Sequence, residues 1–263
     1  MSELQHQVAV VTGGSRGIGR AVALRLGKAG AAVAVCARAS DALDEVVALL
    51  ASAGAQDVLA IPADLSSEEG PRLAIRQTVS ALGPPTILVN NAASFRVGGF
   101  EGVTDLDWHH HLDLKLLGYM RTMREVLPHM RTSGYGRIVN IAGNAALVAS
   151  PKAVLAGPIN SAVANLTRSV ALAEAASGIT ANVVHPGHTR TDRHTEKVRE
   201  LAVSEGISMD DAQSRIARSV PIGRAIEPDE IAAVVCFLAS RDASAVTGQA
   251  IAVDGGASSG MAS

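Results

Sequence analysis

Residues Thr12-Gly13-Gly14-Ser15-Arg16-Gly17-Ile18-Gly19 follow the apolar run Val8-Ala9-Val10-Val11 and open a segment in which Ile18, Val22 and Leu26 recur at helical spacing. Strand, glycine-rich turn and helix in that order form a phosphate cradle. Glycines 13, 17 and 19 let the backbone turn sharply and approach a pyrophosphate, whose charge then rests against free N–H groups at the helix N-terminus. A second strand-like run, Ala32 to Ala37, follows the helix, as a βαβ unit requires. The competing reading is a tight strand-to-helix turn that holds no ligand.

Outward from this stretch, short apolar runs alternate with helical patterns: Val8–Val11, Ala32–Ala37, Val58–Ile61, Ile87–Val89, Ile138–Ile141, Ala181–Val184 and Ala250–Val253. That alternation predicts an α/β fold, a Rossmann-like doubly wound parallel sheet with helices on both faces and ligand at the carboxyl ends of the strands. With 263 residues, 48% apolar content and no shift in composition, the chain reads as a single domain over residues 1–263.

The formal net charge of −2 offers no basic field for nucleic acid, and an aromatic content of 2% offers no stacking platform. The eight histidines show no metal-ligand spacing, and consecutive His109, His110 and His111 would point in different directions on a helix. The two cysteines, Cys36 in a predicted strand and Cys236 in an apolar helix, read as buried small hydrophobes in a reducing compartment. No signal peptide precedes Val8 and no run of 18 apolar residues occurs, so a soluble, cytoplasmic protein is expected, with no membrane partner.

Past the second strand, the position that would carry an acid for the ribose hydroxyls of NAD is Ala37, and Arg38 follows it. A cation there suits a 2′-phosphate, and Arg16 inside the glycine loop adds another, so NADP(H) is favoured over NAD(H). The alternative for Arg38 is an ordinary solvated arginine at a strand end. Asp64-Leu65 closes the third strand and Asn90-Asn91-Ala92-Ala93 the fourth; polar side chains at strand ends belong either to a site or to hydrogen bonds that tie strands together.

Five motifs in order, Thr12-Gly13-x3-Gly17-Ile18-Gly19, Asp64-Leu65, Asn90-Asn91-Ala92, His185-Pro186-Gly187-x3-Thr191 and Thr247-Gly248-Gln249-x4-Asp254-Gly255-Gly256, resemble the short-chain dehydrogenase/reductase family. The resemblance covers essentially the whole chain. It implies an oxidoreductase acting on a carbonyl or alcohol, and it assigns dinucleotide binding to Gly13, Gly17, Ile18, Gly19, Asp64, Leu65, Asn91, Pro186, Gly187 and Thr191. Ser15, Arg16 and Arg38 join that set from the reading of the loop and its cations. It also implies homo-oligomers, tetramers or dimers, with Ala162–Ala173 suited to close helix packing.

The family's chemistry uses a helix Asn, a Ser after the fifth strand, and a Tyr and Lys four apart on the next helix. At those positions this chain carries Lys115, Gly143, Ala156 and Asn160, and no tyrosine occurs from residue 136 onward. Asn and Lys are thus exchanged, so Lys115 and Asn160 should face one another. A Thr104-x-x-Asp107 capping box starts the helix that bears Lys115, and the stripe Leu112, Leu116, Tyr119, Met123, Leu127, Met130 places Lys115 toward the buried face. A buried ammonium is costly unless paired or neutral, which makes Lys115 a catalytic candidate with a depressed pKa. Otherwise it snorkels past Leu112 into water. For Asn160 the alternative is a buried amide bonded to backbone.

Gly143 and Ala156 are expected to leave a void, and the polar segment 189–219 resembles a substrate lid with His185, His188 and Arg190 at its root, as site groups or as exposed loop residues. The tail from Gly255 to Gly260 reads as a flexible exit. Three functions follow: an NADP(H)-dependent oxidoreductase with a rebuilt site, a non-catalytic dinucleotide-binding or scaffold protein, or a lyase or isomerase working through Lys115.

Overall fold

The computed structural model describes residues 4–38, 40–55, 57–94 and 98–258. All seven expected strands are present: β1 (Val8–Thr12), β2 (Ala32–Ala37), β3 (Val58–Pro62), β4 (Ile87–Asn90), β5 (Gly136–Ile141), β6 (Ile179–Pro186) and β7 (Ala250–Val253). They form one parallel sheet in the order β3-β2-β1-β4-β5-β6-β7, with the order reversing between β1 and β4.

The strands are apolar on both faces because both faces are covered. Ala9 and Val11 of β1 face one core, with α1 (Gly17–Lys28), α2 (Asp41–Ser52) and α9 (Pro228–Ala239). Val10 between them faces the other core, with α3 (Glu69–Leu82), α5 (Gly118–Ser133) and α6 (Ala156–Glu174). The side-chain period of two along a strand thus decides which helix layer each residue meets. Cys36 and Cys236 are both buried, and burial pushes the Cys36 thiol up to about 12.

Buried amides pin the middle of the sheet to its helices. Asn90 donates to Asn140 across β4 and β5 (2.9 Å) and accepts from Thr122 of α5 (2.7 Å), while Asn140 donates to Thr167 of α6 (2.8 Å). Asn90 is therefore a strand-tying residue.

The helix begun by Thr104 does carry the capping box with Asp107, but it is not uniform. After α4 (Asp105–His111) the chain widens into a π-type segment, Leu112–Leu117, before α5 resumes α winding. Such widening is a recurrent feature of functional positions, and it contains Lys115. After β6, α7 (Asp192–Glu205) and α8 (Met209–Arg218) pack on each other through Val198, Ala202, Ala212 and Ile216. The tail departs from the flexible exit expected: Asp254 accepts from the backbone of Gly256 (3.0 Å) and from the backbone and hydroxyl of Ser258 (2.7 and 2.5 Å). Those turns bury Ser258, while Ser259 and Gly260 lie outside the described residues. No described helix is long and apolar enough to cross a membrane.

Candidate functional site

The glycine loop joins β1 to α1 at the reversal of strand order, where a parallel sheet opens a crevice at its carboxyl edge. Asn91 holds the loop's shape. Its amide donates to the carbonyls of Thr12 (3.2 Å) and Gly13 (2.9 Å), and its backbone N–H donates to the Thr12 hydroxyl (2.9 Å). Gly19 is required by close approach: a Cβ there would stand 2.3 Å from the Gly13 carbonyl and 2.5 Å from the Asn91 amide nitrogen. Arg16 takes the N-cap position of α1 in extended backbone without a side-chain cap, and the first turn contains no acid. The first N–H groups of that twelve-residue helix are thus left for an external anion.

The other expected binding residues lie within this loop or beyond the carboxyl ends of the neighbouring strands. Ser15, Gly17 and Ile18 are half-buried within it. Thr191 lies against the loop, because a Cβ on Gly17 would meet its methyl group at 3.2 Å. Gly187, just after Pro186 ends β6, is pressed against Asp254, whose Cβ a side chain on Gly187 would meet at 2.6 Å. Asp64 and Arg38 are exposed at the ends of β3 and β2, and Leu65 is buried behind them. Hydrogen bonds from Ser66, with help from the charge of Arg38, hold Asp64 below the usual carboxylate range.

Across the sheet reversal, three successive carbonyls at the end of β5 are occupied by three different side chains. Tyr119 donates to Ile141 (3.0 Å), Lys115 Nζ donates to Ala142 (2.8 Å), and His185 Nδ1 lies 2.9 Å from the Gly143 oxygen. A carbonyl can only accept, so Nδ1 of His185 carries the proton. His185 Nε2 is buried and has no hydrogen-bond partner among the described residues.

Lys115 is 7% exposed, so its stem does not carry the charge to water, and burial draws its ammonium down to about 7. Burial also lowers His185, with the Lys115 charge adding to the effect, whereas burial raises Tyr119 far above the ordinary phenol range. Burial thus brings the amine close to neutral pH and moves the imidazole and the phenol in the directions that keep them uncharged.

Lys115 and Asn160 converge on one peptide unit without a hydrogen bond joining them among the described residues. Lys115 approaches from the Ala142 side, and the Asn160 amide nitrogen lies 2.9 Å from where a Cβ on residue 143 would be. The void expected over Gly143 is therefore partly filled by Asn160 itself. Asn160 and Lys115 are both buried, and Ala156 is half-buried one turn earlier on α6.

His185, read as a group at a lid root, belongs to β6 and is fully buried. His188 is half-buried and Arg190 is exposed and paired with Glu227 at 2.7 Å. No local pattern along the chain marks the stacked carbonyl contacts, since Tyr119, Lys115 and His185 come from different elements. No group of three or more His, Cys, Asp or Glu residues is placed to hold a metal ion among the described residues.

A parallel sheet with a glycine cradle at its reversal defines the class of doubly wound α/β proteins, and comparison with known proteins narrows it. The family model described as enoyl-(acyl carrier protein) reductase matches residues 13–258. A putative ketoacyl reductase of Streptomyces coelicolor is 34% identical over 258 residues, covering 97% of this chain and 98% of that protein. Among solved structures, a variant of actinorhodin polyketide ketoreductase with NADPH superposes with a TM-score of 0.92 at 34% identity, covering 96% and 97% of the two chains. L-sorbose reductase from Gluconobacter frateurii, complexed with NADPH and L-sorbose, gives a TM-score of 0.92 at 28% identity, covering 97% and 98%. This chain belongs to the short-chain dehydrogenase/reductase family.

Proposed function

We propose that the protein is an NADP(H)-dependent oxidoreductase for a carbonyl or alcohol, in which Lys115 moves the proton that the family's tyrosine usually moves. The observation that carries this reading is the buried Lys115 amine, drawn to about 7 and aimed at the Ala142 carbonyl beside Gly143. A group with a pKa near the working pH transfers protons most effectively in both directions.

The dinucleotide fits the residues present. The uncapped start of α1 and its acid-free first turn offer N–H groups to phosphates, Arg16 and Arg38 supply cations for a 2′-phosphate, and Asp64, Leu65, Asn91, Pro186, Gly187 and Thr191 lie at or just beyond the carboxyl ends of β3, β4 and β6 in the same sheet. Similar chains are described with NADPH bound. When bound, the dinucleotide supplies or accepts the hydride.

Lys115 in its ammonium form gives a proton to the substrate oxygen during reduction, and the resulting neutral amine takes one back during oxidation. Either form keeps an N–H for the Ala142 carbonyl, so the side chain does not lose its position as it changes charge. His185 stays neutral beside it, since burial and Lys115 both oppose a second charge. Asn160 fills the room that the missing serine would use. The α7–α8 excursion, residues 189–219, serves as the substrate lid, and the exposed edge of β7 and the alanine-rich face of α6 suit a homo-oligomer.

The test is turnover over pH with a panel of carbonyl compounds. NADPH consumption should fall as pH rises through about 7, alcohol oxidation should rise through the same range, and Lys115→Met should abolish both while dinucleotide still binds. Unchanged turnover in Lys115→Met would remove Lys115 from the chemistry. A lowered amine pKa also equips Lys115 to add to a carbonyl as a nucleophile; borohydride trapping of substrate on Lys115 would favour that lyase or isomerase reading. Dinucleotide binding with no turnover across the panel would favour the scaffold reading.

A further inference from the structure

The buried polar side chains of α6 are satisfied except at Asn160. Thr167 accepts from Asn140 (2.8 Å) and donates to the Val163 carbonyl one turn back (2.6 Å), and Glu174 accepts from Arg131 Nε (2.8 Å). Asn160 is 4% exposed, yet its amide makes no hydrogen bond among the described residues. Its neighbour Ser161 does bond back to the carbonyl of Gly157 at 3.0 Å, so the helix offers such acceptors and Asn160 does not use one. Asparagine is a weak helix former, and a buried amide without a partner adds to that cost. An unpaired buried polar group calls for a partner from outside the chain, a water or a ligand.

Asn160 faces the open side of Gly143. Its Nδ2 lies 2.9 Å from where a Cβ on that residue would be, and the preceding residue, Ala142, holds Lys115 Nζ at 2.8 Å. The donors at this end of β5 can be counted. Tyr119 spends its only hydroxyl proton on Ile141, and His185 its only ring N–H on Gly143. His185 Nε2, sealed from solvent, carries a lone pair and nothing to give. Lys115 retains N–H groups beyond the one given to Ala142, and Asn160 retains both of its own. Among these four buried side chains, only the amine and the amide can donate to an oxygen that enters the cleft.

We propose that Asn160 is a second catalytic residue, donating from Nδ2 to the carbonyl oxygen of the substrate while Lys115 donates to the same oxygen. This assignment deepens the proposed reaction and rests on it for the role of Lys115. As hydride adds to the carbonyl carbon, the C=O π electron pair moves to oxygen, and fixed N–H groups aimed at that oxygen hold the charge until the Lys115 proton completes the alcohol. The amide suits the task because it donates without taking up the proton that Lys115 must deliver. Being uncharged, it also leaves the charge state of the lysine to burial. Gly143 belongs to the same arrangement, since a side chain there would press on the amide nitrogen.

A phenolate presents an oxygen with such a charge and does not react. Calorimetric titration of the full-length protein, with and without NADP, compares 4-nitrophenolate with its neutral isostere 4-nitrotoluene. The phenolate should bind about tenfold or more tighter, the increment of charge-assisted contacts. Asn160→Ala should lower phenolate affinity about tenfold and leave 4-nitrotoluene unchanged. Asn160→Asp, equal in shape but with a carboxylate in place of the donor, should remove the preference altogether. Asn160→Ser, smaller and still a donor, should keep part of it and serves where the other two fail to fold. A purely structural amide would shift both probes together with the melting temperature. Phenolate affinity unchanged in Asn160→Ala, which would leave the amide holding water alone, no preference in the unsubstituted protein, or equal losses for both probes would overturn the assignment. The titration reads binding without turnover, so its failure differs from that of the proposed reaction, which Lys115→Met reads by NADPH consumption.

Discussion

Lys115 and His185 are held by consecutive carbonyls, the lysine by Ala142 at 2.8 Å and the histidine by Gly143 at 2.9 Å. Both peptide oxygens turn toward titratable side chains from other elements because the strand ladder of β5 ends at Ile141. Two buried groups that could each become cationic therefore share one short stretch of backbone. The Lys115 charge adds to the lowering that burial imposes on His185, while burial alone draws the lysine down to about 7.

Lys115 makes stability depend on pH in a defined direction. In the unfolded chain lysine keeps its proton to 10.5, and in the folded protein only to about 7. Between those values the unfolded state binds more protons, so stability should rise with pH from about 7 toward 10.5 and the full penalty should apply below 7. The difference between wild type and Lys115→Met, measured by urea unfolding at several pH values, should shift by on the order of a few kcal/mol over that window. A pH-independent difference would mean that the buried amine does not titrate there.

Gly143 and Asn160 should be coupled. Gly143→Ala puts a methyl 2.9 Å from the Asn160 amide nitrogen at a backbone φ of +154°, and should cost about 1–3 kcal/mol. In the Asn160→Ala background the steric part of that cost should vanish. A double-mutant cycle by denaturant melts that gives additive effects would show that the amide has moved away from Gly143.

Asn140→Ala should be among the more damaging single substitutions. It leaves the Asn90 amide and the Thr167 hydroxyl without their buried partner, at a cost of about 2–4 kcal/mol. Replacing Asn90 as well should add less than the sum of the single costs, which thermal or urea unfolding of the pair measures.

Arg38→Ala should weaken NADPH binding by about tenfold or more, with little change for NADH, as read by nucleotide fluorescence. Arg38 is exposed and near Asp64, so the fold should be unaffected. Equal loss for both nucleotides would take the 2′-phosphate role away from Arg38.

Much of this architecture could be read along the chain because its signals are local. The seven strands are apolar runs between turn residues, and each appears within a few residues of where its pattern places it. The Thr104–Asp107 box caps its helix because both partners lie within one turn. The Asn91 amide was harder to place: the motif marked it for the dinucleotide, whereas the fold also uses it to hold the Thr12 and Gly13 carbonyls. The tail misled in the other direction, since its glycines and serines look flexible until Asp254 is seen to collect Gly256 and Ser258.

The sequence by itself determined the parallel α/β fold and the glycine-rich turn between β1 and α1, because strand, turn and helix propensities act over a few residues. Only the tertiary structure decided that Lys115 is buried rather than snorkelling, that Asn160 occupies the space beside Gly143, and that His185 lies inside the sheet. Those outcomes depend on which groups from α4 to α6 and β6 meet at the end of β5, and long-range packing, through exclusion of water, sets the charge state that local pattern cannot.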